Sequence, residues 1–171
     1  MRERRQKRAA EKLKDIRLII TDVDGVLTDG GLYYGADGES LKRFHARDGL
    51  GVRLLHDAGI QVAVLSGRDG PALRRRLKDL GITEAVLGQA DKRAALSGIM
   101  ERCSVRPEET AFIGDDVPDM EIFCRCGVSA TVKDAPDYVK ARADIVLKMP
   151  GGQGAFRELV DMLLLNRMES L

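Results

Sequence analysis

The chain is poor in the features that mark secreted, membrane-spanning or polyanion-coating proteins. Of its 171 residues only three are cysteine, Cys103, Cys124 and Cys126. An odd number closes no full disulfide set, and Cys-Arg-Cys lacks the two-residue gap of common zinc and redox pairs. The three read as reduced, partly buried fillers of helices that hold no metal. Charge of one sign is also missing: 28 Lys and Arg stand against 27 Asp and Glu, so no overall field selects a partner. No membrane span, internal repeat, low-complexity tract or interdomain linker is visible.

What remains is the composition of one folded domain over residues 1–171, with 44% hydrophobic and 32% charged residues and enough length to bury a core. One local charge excess exists. Between residues 2 and 17 stand Arg2, Arg4, Arg5, Lys7, Arg8, Lys12, Lys14 and Arg17, against Glu3, Glu11 and Asp15. A basic helical arm at residues 1–16 suits nucleic acid in principle, but a frayed, solvated terminus is the commoner outcome and is the expectation here. No apolar h-region follows the arm, so it does not read as a secretion signal, and a cytoplasmic protein is expected.

Past the arm, short apolar runs alternate with helical segments. Leu18-Ile19-Ile20 reads as a buried strand, followed by a hairpin over 30–45 built from LYY, a GADG turn and SLKRF. A helix capped by Asp48 runs through His56, then come a strand at 60–65, a helix from Pro71 to Gly81 and a short strand at 84–87. A helix from Ala90, strands at 110–114, 128–132 and 144–148, two intervening helices and a closing helix at 155–166 complete the pattern. This predicts an α/β fold: a Rossmann-like parallel sheet with helices on both faces and a small hairpin inserted after the first strand.

In such a sheet the carboxyl ends of the strands share one edge. Four segments there are polar or glycine-rich: Asp22-Val23-Asp24-Gly25, Ser66-Gly67-Arg68, Gln89 to Lys92, and Gly114-Asp115-Asp116. Each alone reads equally well as a turn or a helix cap. Together they suit a phosphate ester: carboxylates offer hard oxygen ligands to Mg²⁺, Ser66 a hydroxyl at a helix start, and Lys92 a point charge.

The motifs DVDGV at 22–26, LSGR at 65–68, Lys92 and GDDVPD at 114–119 resemble those of the haloacid dehalogenase superfamily of phosphatases. With DVDGVLTDGGLYY, FHARDGLGVR at 44–53 and GGQGAFREL at 151–159, the likeness extends over nearly the whole chain. It is strongest to the branch acting on the 8-phosphate of the eight-carbon sugar acid 3-deoxy-D-manno-octulosonate (KDO), in lipopolysaccharide sugar synthesis.

The resemblance implies that Asp22 is a nucleophile forming an aspartyl-phosphate and that Asp24 is the acid and base. Asp22, Asp115 and the Asp24 carbonyl would be Mg²⁺ ligands, Ser66 and Lys92 phosphate contacts, and Asp116 and Asp119 groups that orient metal waters and Lys92. A sugar acid also needs its carboxylate bound, and arginine forks match carboxylates. Arg47, Arg53, Arg68 and Arg76 are the candidates, with Arg68 and Arg76 preferred and His45, Ala46, Asp48 and Gly49 lining the pocket.

The segment between Asp24 and Asp48 has room only for a hairpin, so the enzyme is expected to be capless. A neighbouring subunit would then serve as lid in a homotetramer joined through the exposed Leu32, Tyr33 and Tyr34. Residues 150–154 read as a hinge for a mobile tail flap or as a flexible linker. The rival functions are a phosphatase for a nine-carbon, sialic-type acid 9-phosphate and a non-catalytic oligomerisation module. Neither nucleic acid nor membrane is an expected partner.

Overall fold

A computed structural model of the chain describes residues 2–168; Met1 and residues 169–171, the two ends of the expected domain, lie outside the described residues. Strand β1 (Leu18–Thr21) is the axis of the fold. Leu18, Ile19 and Ile20 are wholly buried, and burying an aliphatic side chain of that size contributes about 1.5–3 kcal/mol. A strand buried on both faces reads as a continuous apolar run, which is what parallel sheets require.

The hairpin follows as β2 (Tyr33–Gly35) and β3 (Gly38–Leu41), antiparallel, with a register shift between Tyr33 and Tyr34. Then come α2 (Ala46–Asp57), β4 (Gln61–Leu65), α3 (Pro71–Leu80), β5 (Glu84–Val86), α4 (Lys92–Cys103), β6 (Thr110–Gly114), α5 (Val117–Phe123), β7 (Val128–Thr131), α6 (Asp137–Lys140), β8 (Ile145–Val146) and α7 (Ala155–Met168). Strands pair in the order β5-β4-β1-β6-β7-β8, all parallel, and the hairpin forms a separate two-stranded sheet.

The chain thus moves outward from β1 through β4 to β5, then jumps back across β1 to β6. Right-handed crossovers place helices of the outward leg on one face and those of the return leg on the other. Consistent with this, α2 packs on α3 and α4 packs on α5; α7, which follows the last strand and crosses to no further one, returns to the face of α2 and packs on it. The reversal at β1 opens a crevice beyond its carboxyl end. Among the described residues no helix is long and apolar enough to cross a membrane.

Two local expectations are corrected. The basic arm is not a frayed terminus but an ordered helix, α1 (Arg2–Lys12), followed by a tight turn at Leu13–Asp15. Ala9 and Leu13 are buried, and the Arg5 guanidinium donates to the carbonyls of Ala141, Arg142 and Ala143 and pairs with Asp144 at 3.2 Å. Carbonyls at the end of a helix have no internal partner, and here the exposed Arg5 supplies one. Second, α2 is capped by His45, whose Nδ1 accepts the Arg47 N–H at 3.2 Å, and not by Asp48.

The glycine-rich segment before α7 is docked. Gly151 N–H donates to Asp134 at 2.9 Å and Gly152 N–H to the Val26 carbonyl at 2.9 Å. A Cβ on Gly151 would lie 1.9 Å from the Gly25 carbonyl oxygen, so only glycine permits this approach to the turn that follows β1.

Candidate active site

Beyond the carboxyl end of the sheet lies a cavity of about 480 Å³. Its wall includes Asp22, Asp24, Ser66, Arg68, Lys92, Asp115, Asp116 and Asp119, drawn from four separate stretches of chain.

Asp22 is the first residue past β1. Its N–H still bonds the Ile113 carbonyl at 2.9 Å, continuing the ladder, while its Oδ1 accepts the Val23 N–H at 2.7 Å. Gly25 then turns the chain at φ +82°, and a Cβ there would sit 2.0 Å from Asp115 Oδ2. The glycine therefore lets the β1 loop and the β6 loop press two carboxylates together.

Lys92 begins α4, whose N-cap Asp91 accepts the N–H groups of Arg93 and Ala94. The lysine is only 5% exposed and lies 2.9 Å from Asp22 Oδ2 and 2.7 Å from Asp119 Oδ1. Burial alone would lower its pKa, but the two carboxylates outweigh this and hold it above the ordinary lysine value. It is a fixed cation.

Asp22, Asp115 and Asp119 each offer a carboxylate oxygen within 4.8 Å of the others. Burial and then the charge of Asp119 push Asp22 up to about 7, with Lys92 opposing, and burial followed by Asp22 pushes Asp115 up to about 8. Carboxylates so crowded favour a hard cation among them, and this donor set fits a divalent metal. The sequence reading gives Asp22 and Asp115 to the metal and has Asp119 orient metal waters and Lys92 from beside the acidic cluster. Asp119 is in it, and it also accepts the N–H groups of Asp115 and Asp116 at 2.9 and 3.3 Å. Asp116 is exposed and caps α5.

Ser66 is buried, and its Oγ accepts the Arg68 N–H at 3.2 Å. It does not stand at a helix start, because α3 begins only at Pro71.

The hairpin contributes residues that the sequence reading missed. Lys42 pairs with Asp24 Oδ1 and lies 2.7 Å from Glu39 Oε1; Arg68 Nη2 lies 2.8 Å from Glu39 Oε2 and 3.4 Å from the Tyr34 hydroxyl. Strand alternation would put Glu39 and Lys42 on opposite faces, but β3 ends at Leu41 and the turn of the chain brings them together. Their only signal in the sequence was charge on a hairpin directly after the Asp-x-Asp turn.

Other predicted residues lie elsewhere within the chain. His45, Asp48, Gly49 and Arg76 line a narrow internal cleft with Leu27, Phe44, Val52 and Leu80. Arg47 lines a groove against α7, and Ala46 and Arg53 are exposed on α2. The helix explains the split: positions 45–53 are spread around its turns, so they cannot all face one pocket.

Asp48 joins α2 to α7, its Oδ1 accepting the Arg157 N–H at 2.9 Å while its Oδ2 is buried without a hydrogen-bond partner among the described residues. Burial pushes it up to about 6, against the opposing bond from Arg157. With a folded pKa above the unfolded one, the native state holds the proton longer, so stability falls as pH rises from the ordinary aspartate value of 3.8 through about 6. Asp48→Asn removes that loss and keeps an acceptor oxygen for Arg157. Its melting temperature relative to wild type should therefore rise by roughly 3–8 °C between about pH 4.5 and pH 7.5. A difference that stays flat in calorimetric scans across that range would refute the assignment.

Comparison with known proteins bears on this geometry. A model of the haloacid dehalogenase-like hydrolases matches residues 83–159. The 3-deoxy-D-manno-octulosonate 8-phosphate phosphatase KdsC of Haemophilus influenzae is 56% identical over 154 residues, 90% of this chain and 86% of the relative. The cobalt-bound structure of the H. influenzae phosphatase superposes with a TM-score of 0.91 at 55% identity, covering 93% of each chain. A Moraxella catarrhalis phosphatase of the same name, in complex with magnesium, phosphate and KDO, gives a TM-score of 0.91 at 34% identity, covering 95% of this chain and 94% of the other.

Proposed function

The chain belongs to the haloacid dehalogenase-like hydrolases, and on that premise we propose that it is a Mg²⁺-dependent phosphatase releasing phosphate from 3-deoxy-D-manno-octulosonate 8-phosphate. The observation that carries the reading is the buried Lys92, held between Asp22 and Asp119 beside Asp115 at the crevice of the sheet. A fixed cation among crowded carboxylates is arranged for an incoming phosphate dianion. The relatives' names supply the substrate.

Asp22 attacks phosphorus in line, and the phosphoryl group passes to its carboxylate while the sugar oxygen departs. Asp24, lining the same cavity, gives that oxygen its proton and later takes one from the water that cleaves the aspartyl-phosphate. Ser66 and the amides after it hold a phosphoryl oxygen, and Lys92 offsets the charge of the carboxylates and phosphate together. Asp22, Asp115 and the Asp24 carbonyl would hold the metal, with Asp119 adjoining and pairing with Lys92. Mg²⁺, when bound, neutralises phosphate charge so that an anionic nucleophile can approach.

Arg68 is the group suited to the sugar acid's carboxylate, because it lines the cavity and its side chain is 40% exposed. Such an enzyme belongs to lipopolysaccharide sugar synthesis in the cytoplasm. In a phosphate-release screen, the specificity constant for the octulosonate 8-phosphate should exceed those for hexose 6-phosphates and for a nine-carbon acid 9-phosphate by about 10²-fold or more, and EDTA should abolish it. A hexose phosphate turned over best would end the substrate assignment.

The hairpin supports a homotetramer in which neighbours cover the cavity. Leu32 and, on two short strands that pair with nothing else among the described residues, Tyr33, Tyr34 and Leu41 are each at least 41% exposed. Sedimentation at micromolar concentration should give a species of about four chains; a monomer would refute the shared-lid arrangement.

A further inference from the structure

We propose that Glu39 is a built-in stand-in for the substrate's carboxylate, holding Arg68 and Lys42 in the free enzyme and yielding them when a sugar acid binds. The inference deepens the reading above and rests on it.

Glu39 engages both cations at once, Oε2 at 2.8 Å from Arg68 Nη2 and Oε1 at 2.7 Å from Lys42 Nζ. These are the cations nearest Asp24, since Lys42 pairs with Asp24 Oδ1 and Arg68 Nε lies 3.9 Å from Asp24 Oδ2. The local balance is two positive charges against two negative ones. A sugar acid brings a third carboxylate, and two cations cannot satisfy three carboxylates in a half-buried cluster without leaving one unpaired. Asp24 is fixed by its turn beside β1, whereas Glu39 rides on a two-stranded hairpin outside the main sheet. A hairpin so small has little stability of its own, and Glu39 is the group free to leave.

The exchange makes recognition competitive. Binding the acid returns to Arg68 a carboxylate partner for the one that it loses, while a phosphate ester lacking the carboxylate finds the subsite already filled and gains nothing there. Discrimination thus comes partly from an internal rival, and the apparent affinity of the proper substrate is reduced by the fraction of molecules in which Glu39 occupies the cations.

Glu39→Gln keeps the shape and removes the charge. It should lower KM for the octulosonate 8-phosphate about three- to tenfold relative to its effect on p-nitrophenyl phosphate, the scale of a charge-assisted pair at a partly exposed site. Glu39→Asp should restore the higher value in part. If Glu39 only braces Arg68, Glu39→Gln will instead raise KM for the acid, and an unchanged ratio would equally overturn the proposal.

Arg68→Ala separates this from failure of the substrate reading. A wild-type enzyme with no preference for the acid overturns both. A preference that Arg68→Ala removes, with no fall in KM for Glu39→Gln, overturns the role of Glu39 alone.

Discussion

Asp22→Asn should reduce turnover of every phosphomonoester by at least about 10⁴-fold while leaving the fold intact. The asparagine is nearly isosteric, and its one side-chain oxygen can keep one of the two contacts that the aspartate makes through separate oxygens, Oδ1 with Val23 N–H at 2.7 Å and Oδ2 with Lys92 at 2.9 Å. It loses the negative charge that makes the group a nucleophile, so no aspartyl-phosphate can form. The substitution should not destabilise the protein. Asp22 is pushed up to about 7, which means that its ionised form is unfavourable where it sits, and a neutral amide relieves the repulsion from Asp119. Steady-state phosphate release alongside a thermal melt checks both halves. Activity within about tenfold of wild type would mean that Asp22 is not the nucleophile and would reopen a non-catalytic reading of the domain.

How much of this was legible beforehand differs from element to element. Strands β1, β4 and β6 stand where their apolar runs predict, because a doubly covered parallel strand imposes an uninterrupted hydrophobic pattern. The convergence of Asp22, Ser66, Lys92 and Asp115 followed from topology once those strands were parallel, since their ends share one edge.

Hidden from the sequence were contacts set by packing across long separations. Asp48 looks like a helix cap, yet its partner is Arg157 N–H at the start of α7, 109 residues away. Gly151 looks like a hinge, yet the Gly25 carbonyl leaves no room for a Cβ there. Arg5 looks like solvated charge, yet carbonyls after α6 take it up. Lys42 and Glu39 reach Asp24 and Arg68 only because the hairpin lies over the Asp-x-Asp turn, a docking that no local pattern encodes.

Asp24→Asn should show a second large effect, one that depends on the leaving group. A sugar alkoxide departs only if protonated, so loss of the general acid should slow phosphoryl transfer from the octulosonate 8-phosphate by about 10²–10⁴-fold. p-Nitrophenolate leaves without a proton, and its transfer to Asp22 should proceed at nearly the normal rate. The second step is common to both substrates and needs Asp24 as the base that activates water. The variant should therefore release a burst of about one p-nitrophenolate per site and then stall, while the sugar substrate gives no burst. Lys42 engages Asp24 Oδ1, whereas Oδ2 is buried without a hydrogen-bond partner among the described residues and lies 3.9 Å from Arg68 Nε. Rapid mixing with the aryl ester is the measurement. Equal slowing of both substrates with no burst would show that Asp24 is not the acid of the first step, and would move that role to another group at the cavity.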